Sequence, residues 1–128
     1  MSQMSNYLEN ALINGTLRGV QYTVPATVYV GLHTASPGEI GDGAEVSGGD
    51  YARQAVTFGA PANGVSTNSA DVTFPTATGA WGTITSFGIW DASSAGNLLY
   101  YGNLGTNKTV ASTDVVKILT SALSVTLS

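Results

Sequence analysis

The sequence of 128 residues has no cysteine, one histidine and few charged side chains. Without cysteine the chain has no disulfide, no thiol nucleophile and no cysteine-ligated metal centre. Charged residues make up only 9% of the chain, and eight acidic against four basic residues give a net charge of −4. A typical soluble domain has about 25% charged residues. Nucleic-acid affinity depends on clustered cations, so this composition argues against a nucleic-acid partner.

Long hydrophobic runs and a leader pattern are also lacking. No apolar stretch approaches the roughly 20 residues that a membrane-spanning helix needs. The first residues, Met1-Ser2-Gln3-Met4, do not combine a basic region with an apolar stretch, as a secretory signal would. The sequence therefore predicts no membrane partner, and a chain made in a cytoplasm that reaches its destination by assembly or lysis.

Small uncharged residues take the place of charged ones, with 16 threonines, 13 serines and 16 glycines beside a hydrophobic share of 43%. Such a surface fits a protein pressed against copies or partners, and it fits an ordinary small β domain equally well. The length suffices for one domain with its own core. We predict a single domain over residues 1–128, with 1–18 as an N-terminal helix or arm and 19–128 as a β-sandwich.

The helix is predicted from one apolar stripe near the N-terminus. The stripe consists of residues at spacings of three and four: Met4, Tyr7, Leu8, Ala11 and Leu12. Ser5 can act as the N-cap, and Gly15 offers a left-handed C-terminal stop. A helix this short must pack on something to persist. It would be either a lid on its own domain or an arm docking on another subunit.

From residue 24 onward the apolar period becomes two, which indicates short strands separated by turns. The predicted strands lie within residues 28–32, 51–58, 71–74, 83–90, 98–104, 115–119 and 123–127. Seven side chains are predicted to point inward: Val28, Val30, Val56, Phe58, Phe74, Ile89 and Val125. No helical crossover separates the strands, which excludes a parallel βαβ architecture. The predicted fold is all-β, an antiparallel β-sandwich of jelly-roll or immunoglobulin-like type with a short N-terminal helix.

Candidate chemistry is sparse. His33 is the only histidine, and no Gly-x-Ser-x-Gly elbow accompanies it, so we interpret it as a polar residue at a strand end. The loop of residues 34–50 contains four acids, Glu39, Asp42, Glu45 and Asp50. Their spacing does not match a calcium loop, and we predict a solvated acidic loop. The sequence thus predicts no catalytic residue, no metal ligand, no cofactor and no enzyme activity.

Aromatic residues crowd one region of the chain, with Trp81, Phe87 and Trp90 in one segment and Tyr100-Tyr101 after the next turn. Such clusters bind sugars or bases in some proteins. Core and interface packing is the commoner role, because aromatic rings bury the largest apolar area per residue. We therefore favour packing over ligand binding.

Five stretches resemble one family of small structural proteins from tailed bacteriophages. They are Ser5–Leu12, Val28–Leu32, Glu45–Phe58, Trp81–Asp91 and Gly96–Gly102, of which Glu45–Phe58 contains the most specific block. Members are often labelled tail-fibre-like or virion proteins, and some are similar to capsid decoration (cement) proteins. No catalytic residue comes with the family.

The resemblance implies a protein of the virion and the partners that go with it. The leading hypothesis is a capsid decoration protein on the capsid surface, with the major capsid protein and itself, as a homotrimer, for partners. The alternative is a tail or tail-fibre component that binds the host surface. Six residues are the candidates for an interface: Tyr7, Leu8, Leu12, Arg53, Trp81 and Trp90.

Overall fold

A computed structural model describes residues 2–127, which form one helix and nine strands. In chain order the elements are β1 (Ser2–Met4), α1 (Asn6–Leu17), β2 (Val28–His33), β3 (Gln54–Val56), β4 (Val65–Thr67), β5 (Val72–Thr73), β6 (Gly82–Trp90), β7 (Leu98–Val110), β8 (Lys117–Ile118) and β9 (Ser124–Thr126).

The main sheet has five strands in the order β1-β7-β6-β2-β3, and every pairing in it is antiparallel. Val30 lies in register with Ile89 of β6 on one side and with Gln54 of β3 on the other. Two smaller antiparallel sheets pair β4 with β9 and β5 with β8. The predicted class is confirmed: the protein is all-β and sandwich-like, with a short N-terminal helix.

The core lies between one face of the main sheet and the segments that include the two small sheets. Its buried residues from the main sheet are Val30, Leu32, Val56, Ile84, Phe87, Ile89 and Val110, and those from other segments include Val72, Phe74, Trp81 and Leu123. Of the seven side chains predicted to point inward, five are buried, while Val28 and Phe58 are half-buried and pack against this core. The alternation in the sequence therefore predicted the inward faces correctly.

The helix begins as predicted and ends later. Ser5 is the N-cap, and its hydroxyl accepts a hydrogen bond from the Leu8 N–H at 3.2 Å. Met4, predicted to belong to the helical stripe, lies in β1 instead, paired with β7. Gly15 does not stop the helix, because a glycine inside a helix costs only about 1 kcal/mol. The chain leaves the helix through Gly19, whose φ is +66°.

Two strand boundaries differ from the prediction for identifiable reasons. The stretch 51–58 pairs with β2 only at Gln54–Val56. Before this strand Tyr51 and Arg53 bond to the loop of residues 34–50, and after it Phe58 forms an isolated bridge with Asn68. The strand predicted at 98–104 continues to Val110, because pairing with β6 resumes after an irregularity. Two strands were not predicted, β1 and β4, which are three residues long and too short to show a period.

Candidate interaction surface

The second face of the main sheet has a buried ion pair beside a tryptophan. Arg53 makes two hydrogen bonds to the Glu45 carboxylate, Nε to Oε2 and Nη2 to Oε1, both at 2.8 Å. Its guanidinium lies 3.8 Å from the centroid of the Trp90 ring, a cation–π contact. Arg53 Nη1 also donates to the carbonyls of Ala92 and Ala95. One side chain thus joins the loop of residues 34–50, the start of β3 and the β6–β7 turn.

Tyr51 completes the polar environment of Glu45. The Tyr51 hydroxyl donates to Glu45 Oε2 at 2.7 Å and accepts from the Leu32 N–H at 2.9 Å. Burial opposes ionisation of Glu45, but the hydrogen bonds from Arg53 and Tyr51 outweigh it and lower the pKa of this carboxyl. Burial, reinforced by the hydrogen bond to Glu45, raises the pKa of Tyr51. Glu45 is therefore a structural anion.

The prediction of a solvated acidic loop is right for three of its four acids and wrong for Glu45. Glu39, Asp42 and Asp50 are exposed, whereas only 24% of the Glu45 side chain is accessible. The partner that buries Glu45 is Arg53, which the sequence did not connect to the loop. Across residues 2–127 no three acids or histidines gather as metal ligands would.

His33 stands at the end of β2, as predicted, but it is completely buried rather than a simple terminal polar residue. Its Nδ1 lies 2.7 Å from the Gly43 carbonyl oxygen, and its ring stacks on Trp90 with centroids 6.0 Å apart. Burial lowers the pKa of His33, an effect that the bond to Gly43 opposes. The burial arises because the loop of residues 34–50 folds back over the strand end. There the backbone of Glu45 forms an isolated antiparallel β-bridge with that of His33.

Trp81 and Trp90, two of the predicted interface residues, lie inside the subunit. Trp81 is 5% exposed, donates from Nε1 to the Gly49 carbonyl at 2.9 Å, and makes edge-on contacts with Tyr51 and Phe74. Trp90 is similarly covered. Neither ring has a free face for a flat ligand, so both pack as the sequence favoured. An interface role for these tryptophans and Arg53 stays a prediction.

The three predicted contact residues of the helix differ in their exposure to solvent. Leu8 is buried against its own subunit, Leu12 is half-buried, and Tyr7 is 42% exposed. Because Leu8 packs on the subunit's own sheet, the helix acts as a lid in the described chain. Tyr7 keeps enough accessible surface for a contact with a neighbour.

Large apolar side chains around the helix are exposed, and the sequence pattern did not single them out. They are Ile13, Leu17, Val20, Val24 and Ile40, with Leu17 at 79% and Val24 and Ile40 at 71%. Shallow clefts flank Tyr7, one of about 200 Å³ that reaches Ile40 and one of about 280 Å³ that reaches Val20. We call Tyr7, Val20 and Ile40 the N-terminal apolar surface. Tyr7 belongs to the predicted helical stripe, whereas Val20 and Ile40 lie outside it.

Membrane insertion through a helix finds no support in the described chain. Between residues 2 and 127 no helix combines the length and the apolar character that a membrane crossing needs.

Comparison with known protein families decides the class of protein. The family described as podophage GP4 fiber I protein gp80 matches residues 3–126, which is nearly the whole chain. The chain belongs to this family. No curated protein matches it. Membership of the gp80 family makes the chain a bacteriophage virion structural protein, and it confirms the resemblance at that level. The family name agrees with the tail-fibre-like label and does not mention capsid decoration.

Proposed function

We propose that this protein is a non-enzymatic structural component of a phage tail fibre, where it assembles with copies of itself and with other virion proteins. The observation that carries the proposal is the match to a fibre protein family over residues 3–126. We rank the tail-fibre role above capsid decoration because the family name refers to a fibre. Binding to the host surface through the fibre follows from the same proposal.

The surface of the chain favours a protein that works in contact with other subunits. A low content of interspersed charges resists self-association only weakly. Exposed apolar side chains that occur together mark protein–protein contact sites more often than scattered single residues do. Tyr7, Val20 and Ile40 border the two clefts described above, and Leu17 projects from the end of the same helix. We propose this region as the contact with a neighbouring subunit.

The engagement of the reactive groups supports a non-enzymatic role. His33 is fully buried and its Nδ1 is occupied by Gly43. Glu45 and Arg53 neutralise each other, and their remaining hydrogen bonds go to groups of the same chain. These three side chains hold segments of the chain together.

Capsid decoration is the second candidate, with the major capsid protein as the partner. The resemblance to cement proteins in the sequence favours it, and a compact fold without chemistry would serve that role equally well. The two candidates differ in the number and place of the copies. A decoration protein covers a shell built from hundreds of subunits, whereas a fibre component occurs in a few to tens of copies at the tail.

Copy number and location in purified particles test the proposal. Labelled peptides of this chain and of the major capsid protein are quantified together by mass spectrometry, and gold-labelled antibody is located by electron microscopy. We expect a few to tens of copies per particle, with the label at the tail. Hundreds of copies with the label spread over the shell would contradict the fibre proposal and establish capsid decoration. Particles carrying antibody against the major capsid protein serve as the control for shell labelling.

A further inference from the structure

Two buried ring nitrogens, His33 Nε2 and Trp90 Nε1, have no hydrogen-bond partner among residues 2–127. Their rings are stacked, with centroids 6.0 Å apart. A Cβ built on Gly88 would lie 2.8 Å from Trp90 Nε1 and 3.1 Å from His33 Nε2, so both nitrogens border the same small space above this glycine. Buried polar atoms are almost always paired, so this arrangement asks for a reason.

The tautomer of His33 follows from its other nitrogen. Nδ1 lies 2.7 Å from a carbonyl oxygen, Gly43 O, which can only accept, so Nδ1 carries the proton. Nε2 of the neutral ring is then an acceptor beside the indole N–H of Trp90. Protonation would place an N–H on Nε2 as well. Two donors would then lie beside a single neighbouring acceptor, Glu45 Oε2 next to Gly31, which already accepts from Arg53 and Tyr51.

The charged groups around His33 do not relieve this conflict. Arg53, from the segment before β3, is a cation that opposes a second positive charge on His33. Glu45, from the loop, favours the charge, but its carboxylate is already paired with Arg53 and hydrogen-bonded to Tyr51. From β6, the residues beside His33 are its register partner Ser86, Gly88 and Trp90, none of which carries a charge. The folded site therefore favours neutral His33.

The loop of residues 34–50 is the segment that this histidine holds. Its Gly43 carbonyl accepts a hydrogen bond from His33 Nδ1–H, and its Gly41 packs so closely on Trp90 and Leu98 that a Cβ there would lie 3.1 and 3.0 Å from them. Trp90 and Leu98, on which the loop packs, form with Tyr101 a buried cluster separate from the core.

We propose that His33 makes the loop of residues 34–50 an acid-sensitive cover, which opens when His33 is protonated and exposes Trp90 and Leu98. This property goes beyond the proposed structural role, because the apolar surface under the loop would become accessible only at acid pH. Opening gives Nε2–H water as an acceptor and separates the new charge from Arg53.

The direction of the pH dependence follows from proton linkage. The pKa of His33 is lower in the closed state than its ordinary value of 6.5, so the closed state binds fewer protons. The stability of closure is complete above that value and falls as the pH drops below it. If His33 stays neutral in the closed state, the equilibrium constant for opening of the loop increases by up to about 30-fold when the pH falls from 7.5 to 5.0. Glu45 does not interfere, because its pKa lies below its ordinary value of 4.5.

Hydrogen exchange on the full chain tests the cover directly. Exchange of the loop amides is followed by mass spectrometry at several values between pH 7.5 and 5.0 and corrected for the intrinsic rate. We expect the opening of residues 34–50 to increase toward 30-fold, while β6 and β7 keep their protection. In His33→Asn, whose amide can still donate to Gly43, the increase should disappear. An increase of equal size in every segment, or one that persists in the variant, would contradict the proposal.

Nuclear magnetic resonance of the wild-type chain gives a second test that does not depend on the variant folding. The ¹⁵N shift of Nε2 should show an unprotonated nitrogen at pH 7, and its titration should coincide with the change in the loop resonances. A His33 that titrates at its ordinary pKa while the loop resonances stay unchanged would overturn the inference.

Discussion

Arg53 is the residue on which three separate segments of the chain converge. Its guanidinium binds the Glu45 carboxylate and covers one face of Trp90. Solvent barely reaches it, since only 7% of the side chain is accessible. A bidentate arginine–carboxylate pair is directional and stronger than a neutral hydrogen bond. The pair therefore defines how the loop of residues 34–50 sits on the sheet.

Replacement of Arg53 by alanine should be strongly destabilising. Glu45 would keep its partial burial and lose its cation, and removal of one partner of a buried pair costs about 3 kcal/mol. The loss is measured as the free energy of unfolding in urea. Arg18→Ala is the matched control, because Arg18 is exposed and bonds only to Asn14 on the helix surface. It should change the stability by no more than about 0.5 kcal/mol. Equal effects of the two variants would refute the importance assigned to the pair.

Gly88 shows a second residue-scale constraint, the close approach of side chains to a strand. A Cβ on Gly88 would lie 2.8 Å from Trp90 Nε1 and 2.9 Å from Leu98 Cδ1. Gly88→Ala should therefore cost about 1–3 kcal/mol through overpacking. Gly105→Ala, also in a strand, meets nothing within 4 Å and should leave stability unchanged or raise it slightly. Thermal unfolding of both variants decides; a neutral Gly88→Ala would show that the second face is loosely packed.

Residue-level contacts were the hardest part to predict from the sequence. Arg53, Trp81 and Trp90 stood out by type, but nothing in the spacing of Glu45 and Arg53 connects the loop to the start of β3. Such a pairing depends on how the loop folds back, which is a tertiary event. His33 shows the same limit, because its burial comes from loop residues ten positions later in the chain.

Helices and strands were predicted better where the segment with a regular apolar pattern is long. The strand at β6 was expected over residues 83–90 and runs from Gly82 to Trp90, since it carries apolar and β-branched residues throughout. The strands β1 and β4 have three residues each and left no pattern to detect. The helix start was predicted from the capping chemistry of Ser5, and its end was missed because Gly15 tolerates a helical backbone.

The capping residue of α1 gives a prediction at the scale of the element. Ser5 is buried, accepts from the Leu8 N–H, and donates to the Leu98 carbonyl of β7. Ser5→Ala removes both bonds and should cost about 2 kcal/mol, the upper range for an N-cap. The comparison uses Ser94→Ala, a change at an exposed turn, which should be within about 0.5 kcal/mol of wild type. Chemical denaturation followed by circular dichroism measures both; a Ser5 variant as stable as the control would contradict this role of the cap.

At the scale of the whole molecule, the N-terminal region stands out because it exposes large apolar side chains around the helix. The main sheet ends in β1 and β3, each three residues long, and β1 pairs with only three residues of the thirteen-residue β7. Exposed apolar side chains that occur together mark contact sites. The side chains near the helix are therefore the first place to look for association.

Self-association should depend on the N-terminal region and not on exposed apolar residues in general. Leu17→Lys combined with Ile40→Lys places charge at two side chains that are 79% and 71% exposed, so the fold should persist. Burying a lysine in a contact without a partner is unfavourable, and binding should weaken. Light scattering coupled to gel filtration should show a multimer for the parent, three copies if it is the predicted homotrimer, and a monomer for the variant.

The control for this variant changes the net charge equally at another site. Val115→Lys with Leu119→Lys alters residues that are 53% and 58% exposed near the C-terminus. If net charge alone governed association, both double variants would keep the parental mass or associate further, because each reduces the net charge from −4 to −2 and weakens the repulsion between copies. If the N-terminal region forms the contact, only the first variant becomes monomeric, and the second keeps the parental mass. Dissociation of the second variant alone would place the contact at the C-terminal residues and contradict the assignment made from Tyr7, Val20 and Ile40.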